Sequence, residues 1–201
     1  MATKVEEEFV DKNFDGQDIS GEEYESCVFT RCSFIGSDIS ESKINKCSFE
    51  ECNFDQSRMN AAIAVSSSFA NCTFTHAYLF LAQFTQCRLI GASFANADMT
   101  GISILGGDWS WSNLRYQNLA ELDLQGIKLI ESDLYGSDLT KANLRDSDLT
   151  KADFSTAKLI ETDLRGAKLN GALLQTANLK GARMDTSQAI YFAQSHGIIV
   201  E

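Results

Sequence analysis

The chain of 201 residues contains no proline. Average usage predicts about ten prolines in a chain of this length. Because proline has no backbone N–H, it is excluded from the interior of β-sheets. Its absence is what an architecture with continuous backbone pairing between internal strands requires.

The sequence also lacks the short motifs that carry enzymatic chemistry. It contains no GxSxG, no glycine-rich phosphate loop, no HExxH and no CxxC pair. Its two histidines, His76 and His196, have no local cysteine or histidine partner, and we expect a surface and a cap position for them. We therefore predict that the protein is not an enzyme and holds no metal and no cofactor.

Basic residues are scarce. The chain has 17 Lys and Arg against 28 Asp and Glu, a formal net charge of −11. Phosphate recognition depends on Lys and Arg, so this balance argues against direct nucleic-acid binding. No stretch is long and apolar enough to span a membrane, and the first residues are polar and acidic, unlike a secretory signal. We therefore expect a cytoplasmic protein without a membrane partner.

What the chain does have is a repeat of five residues. From Phe9 to Met184 every fifth residue is large and apolar, without insertion or deletion, except for the small Ala64. A period of five fits neither a helix nor a strand, but it fits a chain that turns a corner after each short extended segment. A small residue two positions before most of the large ones shares their inward direction, so three of every five residues face outward.

All six cysteines occupy this small inward position: Cys27, Cys32, Cys47, Cys52, Cys72 and Cys87. An even number of cysteines can indicate disulfides or a zinc site. Without a secretory signal or a CxxC pair, we favour buried free thiols that act as small apolar residues in a reducing compartment.

The repeat follows the signature A(D/N)LXX, as in Ala142-Asn-Leu-Arg-Asp and Ala177-Asn-Leu-Lys-Gly. In this signature the chain resembles the pentapeptide-repeat proteins. The resemblance implies an all-β fold, a right-handed quadrilateral parallel β-helix with four pentads in each coil. Residues 20 positions apart should then stack, Phe14 on Phe34 for example, at about 4.8 Å per coil. About nine coils are expected.

Three segments are predicted: an acidic lead-in over 1–12, the repeat over 13–185, and a C-terminal module over 186–201. The module should contain a short helix, capped by Thr186 or Ser187 and ended by Gly197, followed by a brief strand over 198–200. Between 102 and 127 large residues replace small ones. We interpret this stretch as a change of coil cross-section or a bend, with a binding role as the less favoured alternative.

The segment from Ser187 to Val200 resembles the C-terminal module of the MfpA and Qnr group of this family, with Gln-Ala, an apolar helix, Gly and a short apolar strand. That group binds type II topoisomerases, chiefly DNA gyrase, and confers fluoroquinolone resistance, and its rods join end to end. The resemblance implies a homodimer whose contact residues are Ile190, Phe192, Ala193, Ile198, Ile199 and Val200. Since the five-residue count never breaks, no projecting loop is expected, as in the loop-free MfpA form.

These features predict a DNA mimic that binds DNA gyrase and inhibits it, protects it from fluoroquinolones, or does both. The predicted contact residues form an acidic ladder: Asp98, Glu121, Asp133, Asp138 and Asp153. Two alternatives stay open. One is a structural or interaction scaffold of the wider family without a topoisomerase target, and the other is self-immunity against a gyrase-directed antibiotic.

Overall fold

The computed structural model describes residues 3–195 and 197–200, so the predicted cap position of His196 lies outside the described residues. The fold is an all-β parallel solenoid with one short helix at its C-terminal end. The elements are β1 Thr3–Val5, β2 Glu8–Val10, β3 Glu23–Glu25, β4 Val28–Thr30, β5 Lys43–Asn45, β6 Ser48–Glu50, β7 Ile63–Val65, β8 Ser68–Ala70, β9 Gln83–Thr85, β10 Ser103–Leu105 and α1 Thr186–Ser195.

Each strand pairs in parallel with the strand 20 residues further along the chain. The pairs form a six-stranded sheet in the order β1-β3-β5-β7-β9-β10 and a four-stranded sheet in the order β2-β4-β6-β8. This confirms the predicted stacking of residues 20 apart in a parallel β-helix. The coil count differs from the prediction, because regular strands cover about 5 turns. Beyond β10 the same step of 20 continues as single bridges, as far as Asp163↔Arg183.

The coil has four sides, which we name by the large inward residues that stack along them. Side A contains Phe9, Phe29, Phe49 and their successors at intervals of 20 residues. Sides B, C and D begin with Phe14, Ile19 and Tyr24, respectively. Strands β2, β4, β6 and β8 lie on side A, and the other six lie on side D.

The corners arise from a left-handed backbone conformation two residues after the large inward residue. This position has positive φ in glycines and in many other residues, such as Glu41 (φ 59) and Lys141 (φ 60). Left-handed φ lets the chain turn from one side of the coil onto the next within a few residues. At most corners the N–H three residues after the large residue donates to its carbonyl, as Ser37 does to Phe34 at 3.1 Å. The square coil is therefore a series of tight turns.

The core is aromatic in the N-terminal half and leucine-rich in the C-terminal half. On sides A and B phenylalanine rings stack directly over one another, with Phe34 and Phe54 at 4.7 Å between centroids and 4° between planes. From Leu114 onward the inward column residues are almost all leucines, buried to within a few per cent. Trp109 lies fully buried at the boundary, stacked on Phe94.

The prediction that the cysteines are buried and free is confirmed. Each cysteine lies two residues after the end of a three-residue strand. There the tight-turn bond is replaced by contacts to sulfur: the N–H of Cys32 donates to Cys52 Sγ at 3.4 Å, and Cys52 Sγ contacts the carbonyls of Phe29 and Glu50. Ser67 takes this place with its hydroxyl after β7, and it accepts the N–H of Cys47 at 3.0 Å.

The pairing between coils is interrupted within the predicted irregular stretch. No bridge joins Asp98 to Asn118 on side C, or Ser103 to Asp123 on side D, although every other coil pair around them in the described chain is bridged. On sides A and B the pairing continues, for example Asn113↔Asp133. The rod is therefore open on two adjacent sides at this level.

The size of the inward residues accounts for this opening. On side A the small position holds Gly107, where an added Cβ would lie 2.1 Å from the Cys87 carbonyl oxygen, so the coils are tightly closed there. On sides C and D the equivalent positions hold the bulky Gln117 and Leu122. Gln117 is buried and its Nε2 donates to the carbonyl of Phe94 at 2.8 Å. The coils therefore lie close together at Gly107 on side A, and the bulky Gln117 and Leu122 hold them apart on sides C and D.

Regular structure extends close to both ends of the described chain. Strands β1 and β2 already pair with the next coil, so regular structure begins within the segment predicted as an acidic lead-in. The C-terminal helix is confirmed, but its N-cap is Asp185 rather than Thr186 or Ser187. The Asp185 carboxylate accepts the N–H of Gln188, and the Gln188 side chain accepts the N–H of Asp185, which forms a capping box.

The predicted strand over 198–200 does not form. The N–H of Ile198 donates to the carbonyl of Ala193, and that of Gly197 to Gln194, which ends the helix in the predicted place. Residues 197–200 have no strand assignment. A strand needs a neighbour with which to share backbone hydrogen bonds, and the helix rather than another strand lies before this segment.

Candidate partner-binding surfaces

The five carboxylates predicted from the sequence lie on two adjacent sides of the rod. Asp133 and Asp153 are bridged neighbours in consecutive coils on side B. Asp98 and Asp138 stand in one column of side C, with Asn118 between them. Glu121 lies at the corner between sides C and D, where its φ is 62°. The structure therefore brings these residues together on two faces that share an edge.

Four of these carboxylates also stabilise the fold locally. In each, Oδ1 accepts the backbone N–H two residues later, such as Thr100 to Asp98 at 3.0 Å and Ser155 to Asp153 at 2.8 Å. Asn113, Asn118 and Asn178 make the same bond in their own pentads. Aspartate and asparagine are thus equivalent for this Asx turn. An Asp-to-Asn substitution at such a position removes the charge and keeps the turn.

Three of the five carboxylates have a cationic neighbour within the protein. Asp133 pairs with Arg115 at 2.9 Å, Asp138 with Lys158 at 3.0 Å and Glu121 with Lys141 at 4.0 Å. No such pair forms for Asp98 or Asp153 among the described residues. Pairs between exposed side chains contribute little to stability, but they reduce the local field. The sequence did not reveal this compensation, because the partners lie about one coil away.

Local hydrogen bonds keep two of these carboxylates, Asp98 and Asp138, ionised. Bonds from the hydroxyl and the N–H of Thr100 lower the pKa of Asp98. Partial burial works against ionisation of Asp138, but bonds from Thr140 and Lys158 outweigh it and lower its pKa. Both groups are therefore fully charged at neutral pH.

Side C also carries an apolar patch that the sequence reasoning missed. Tyr78, Phe80 and Leu81 are the three outward residues of one pentad, and their side chains are 51%, 47% and 48% exposed. Outward positions of the repeat are mostly polar, so three apolar residues together were a visible signal. Tyr78 is bridged to Asp98 in the next coil, so the patch adjoins a charged member of the acidic ladder.

A cleft of about 380 Å³ lies where the coils separate above Asp98. Its walls include Asp98, Thr100, Arg115, Tyr116 and Asn118. Because the backbone pairing between coils is interrupted there, the backbone N–H groups of Met99, Gly101 and Asn118 find no acceptor within the described chain. Unpaired backbone donors are rare in folded proteins and can take an external acceptor.

The helix α1 closes the C-terminal end of the rod. Gln188 is buried, and its Nε2 donates to the carbonyls of Leu164 and Ala167 at 2.6 and 2.8 Å. Phe192 and Tyr191 are partly buried against the core. These contacts satisfy carbonyls of the last coils and cover their apolar interior, which is the role of a solenoid cap.

The predicted dimerisation residues divide into two groups. Phe192 and Ala193 are partly buried within the single chain. Ile190, Ile198, Ile199 and Val200 are exposed, and Ile199 reaches 84%. The second group places a cluster of apolar side chains in solvent at the end of the rod.

Within the described residues, no group of three or more His, Cys, Asp and Glu side chains is arranged to hold a metal ion. Burial raises the pKa of Cys47 and Cys87 to about 11, so these thiols stay protonated. In the same part of the chain no helix is long and apolar enough to cross a membrane.

The four-sided coil with its five-residue step and the helical cap at its end define a solenoid built of five-residue repeats. The sequence profile of pentapeptide repeats matches residues 67–103, 110–146, 118–155 and 157–185, more than half of the chain. The chain therefore belongs to the pentapeptide-repeat family. No curated protein sequence matches it significantly.

Solved structures of two proteins illustrate the likeness. The trypsin-treated form of QnrB1, a plasmid-mediated fluoroquinolone resistance protein, has a TM-score of 0.86 at 22% identity over 100% of both chains. Full-length QnrB1 has a TM-score of 0.65 at 24% identity, with 98% of this chain and 100% of that chain covered. HetL, a pentapeptide-repeat protein involved in heterocyst differentiation regulation in the cyanobacterium Nostoc sp. strain PCC 7120, has a TM-score of 0.56 at 24% identity, with 91% and 89% covered. At these identities the likeness concerns the fold.

Proposed function

We propose that this protein is a DNA mimic that binds DNA gyrase and competes with DNA for the enzyme's basic groove. The observation that carries the proposal is the set of carboxylates at coil spacing on two adjacent sides of a rod, with Asp133 and Asp153 in bridged coils. Coils repeat at about 4.8 Å along the rod, and each DNA strand carries one charge per about 3.4 Å of helix axis, so the two charge spacings are of similar size. The net charge of −11 has the sign that such a mimic needs.

The likeness to QnrB1, a fluoroquinolone resistance protein, supports the choice of target. Inhibition of gyrase and protection from fluoroquinolones would both use the same acidic surface, and both belong to the proposal. The chain acts by binding rather than catalysis. Its buried free thiols suit a reducing compartment, so we place it in the cytoplasm.

The test is a supercoiling assay with two matched sets of charge-neutral variants. The first set changes Asp98, Asp133, Asp138 and Asp153 on sides B and C to Asn. The control set changes Asp108, Asp123, Asp148 and Asp163 on sides A and D to Asn. All eight carboxylates accept the same turn bond, so both sets remove four charges and keep the turns.

We expect the wild-type protein to inhibit supercoiling, less strongly as salt rises. The side B and C set should weaken inhibition by about tenfold or more, and the control set by about twofold or less. Equal effects of the two sets would reject a specific acidic surface in favour of overall charge. No inhibition by the wild type at any salt concentration would reject gyrase as the target.

The proposal includes an end-to-end homodimer through Ile190, Phe192, Ala193, Ile198, Ile199 and Val200. In a dimer, the exposed apolar residues after the helix could pair as a strand with the same segment of a second copy, because the described part of the single chain offers them no neighbouring strand. Ile199→Lys places a charge at the most exposed of these positions and should reduce the sedimenting mass to that of a monomer. Leu173→Lys, at an exposed position on side B, is the control and should leave the mass unchanged. An unchanged mass for Ile199→Lys would remove the dimer contact.

The second candidate is a scaffold without a topoisomerase target. It is favoured by the ion pairs between coils, such as Asp148–Lys168 at 3.0 Å, which balance much of the acidic charge within the rod. Self-immunity against a gyrase-directed antibiotic shares the target of the main proposal and differs in biological role. The supercoiling assay separates the scaffold from the other two, and growth of a sensitive strain with the antibiotic separates those two from each other.

A further inference from the structure

The apolar patch of Tyr78, Phe80 and Leu81 has no explanation within the folded chain. Their side chains make no hydrogen bond, ring contact or ion pair among the described residues. Leu81 lies over Gly101, where an added Cβ would approach Leu81 Cδ2 to 2.9 Å. Exposed apolar clusters rimmed by polar residues mark interaction sites more often than chance.

The other exposed aromatic cluster is different, because its members contact one another. Arg115 lies 4.3 Å from the centroid of the Tyr135 ring and pairs with Asp133, while Tyr116 packs edge to face on Tyr135. Trp111 donates to Glu131. These groups are already engaged within the rod, whereas the patch on side C is not.

Three independent features meet on side C within adjacent coils. The apolar patch lies in one coil, and the next coil holds Asp98, whose carboxylate pairs with no cation of the described residues. Directly above Asp98 is the opening, where the N–H groups of Met99 and Gly101 have no acceptor in the same part of the chain. An extended polypeptide can satisfy all three at once. It offers carbonyl oxygens to the free N–H groups, a cationic side chain to Asp98 and an apolar side chain to Phe80 and Leu81.

We propose that this region is a docking site for an extended segment of the partner protein that carries an apolar residue beside a lysine or arginine. The inference rests on the proposed function, and it adds to it a contact that DNA mimicry alone does not require. A DNA duplex presents no apolar side chains on its outer surface. The patch would therefore contribute affinity that does not depend on salt, in addition to the salt-dependent acidic ladder.

The substitutions that test the site can be taken from the chain's own repeats. Thr100 and Thr140 stand in the column of Phe80, and Ala61, with φ 54, stands in the column of Leu81. The double variant Phe80→Thr with Leu81→Ala therefore uses residues that the coil already accommodates. Trp111→Asn is the control, because Trp111 is 56% exposed at the opposite edge of the square and Asn71 occupies its column.

The measurement is the dissociation constant for purified gyrase at low and high salt. We expect the double variant to bind about thirtyfold more weakly at both salt concentrations, the loss that removal of an interface hot spot produces. Asp98→Asn should weaken binding mainly at low salt, and Trp111→Asn should bind like the wild type. Wild-type affinity of the double variant, with gyrase binding intact, would overturn the docking site and leave the proposed function standing. No binding by the wild-type protein would instead be a failure of the proposed function.

A second readout needs no substitution. Amide hydrogen exchange at Met99 and Gly101 should slow when gyrase is bound, because partner carbonyls would accept those N–H groups. Unchanged exchange in a saturated complex would overturn the docking site. A decrease in the sedimenting mass of the double variant without gyrase would also overturn it, because the patch would then be covered by a second copy of this chain.

Discussion

The two halves of the rod use the same five-residue step but build different corners. In the N-terminal half, sides A and D carry three-residue strands, and from β3 onward the residue two positions after each strand is a cysteine, Ser67 or Gly107. In the C-terminal half every corner is a tight turn closed by a backbone bond, as from Ala142 to Leu139 at 3.0 Å. The small position there holds mainly alanine or serine.

The difference shows that the small inward residue does more than fill space. At a tight turn its N–H is satisfied by the carbonyl three residues earlier, and alanine suffices. At a strand corner that bond is missing, and at two of these corners a side chain of the next coil accepts the N–H instead: Cys52 Sγ for Cys32 and the Ser67 hydroxyl for Cys47. At these two corners the residue that accepts contributes a hydrogen bond as well as volume.

The largest effect should come from the aromatic core. Phe54→Ala removes a ring stacked between Phe34 and Phe74 and should lower the free energy of unfolding by about 4 kcal/mol. Leu134→Ala, equally buried in the other half, should cost about 3 kcal/mol because less volume is lost. Denaturant titration measures both. A smaller cost at Phe54 than at Leu134 would show that the aromatic half is the more loosely packed.

The next effect concerns the junction between the halves. Gly107→Ala forces a Cβ against the Cys87 carbonyl at φ 96° and should cost about 3 kcal/mol. Gly126→Ala is the control, since its φ is 70° and nothing lies within 4 Å of the added atom, so only the left-handed backbone costs about 1 kcal/mol. Similar costs at both sites would mean that the junction is not tightly closed on side A.

A smaller effect distinguishes the two corner types directly. Cys52→Ala leaves the buried N–H of Cys32 without its acceptor and should cost about 1–2 kcal/mol. Cys52→Ser supplies a hydroxyl like that of Ser67 and should recover most of this loss. Thermal unfolding of both variants is the measurement. If alanine and serine are equivalent at position 52, volume alone explains the cysteines.

The smallest effect is electrostatic and depends on pH. Hydrogen bonds from Arg165 lower the pKa of Asp163 to about 2, below the value of about 3.9 in an unfolded chain. Asp163 therefore stabilises the fold fully above about pH 4, and this contribution is lost as the pH falls through 2. Asp163→Asn should cost less than about 1 kcal/mol at pH 7 and nothing near pH 1. A cost of the same size near pH 1 would assign it to packing rather than charge.

Much of the fold could be predicted from particular residues. The unbroken series from Phe9 to Met184 predicted a chain that turns a corner every five residues, and the small positions predicted buried thiols. The resemblance to the pentapeptide-repeat proteins then implied parallel stacking at 20 residues. The N-cap was missed because Thr186 and Ser187 are also good caps, and only the reciprocal bonds of Asp185 and Gln188 decide among them. The strand over 198–200 was predicted from apolar composition, which cannot supply the neighbouring strand that pairing needs.

The candidate surfaces were less predictable. The column positions of Asp133 and Asp138 follow from the repeat, but the pairing of these carboxylates with cations does not. Arg115 reaches Asp133 across 18 residues, and Lys158 reaches Asp138 across 20. For the stretch that contains the opening above Asp98, the sequence predicted only a change of coil cross-section or a bend. The side on which the coils separate depends on how Gly107 and Gln117 pack against the neighbouring coil.

The sequence by itself determined that the chain turns a corner every five residues and which residues face inward, because one large and one small apolar residue recur in every five. The distance of 20 residues between stacked positions followed from the resemblance to the pentapeptide-repeat proteins. Only the tertiary structure decided which charges remain unpaired, where the backbone pairing between coils is interrupted and which apolar side chains stay in solvent. Those properties depend on contacts between residues of different coils, and a period along the chain specifies positions without specifying how neighbouring coils meet.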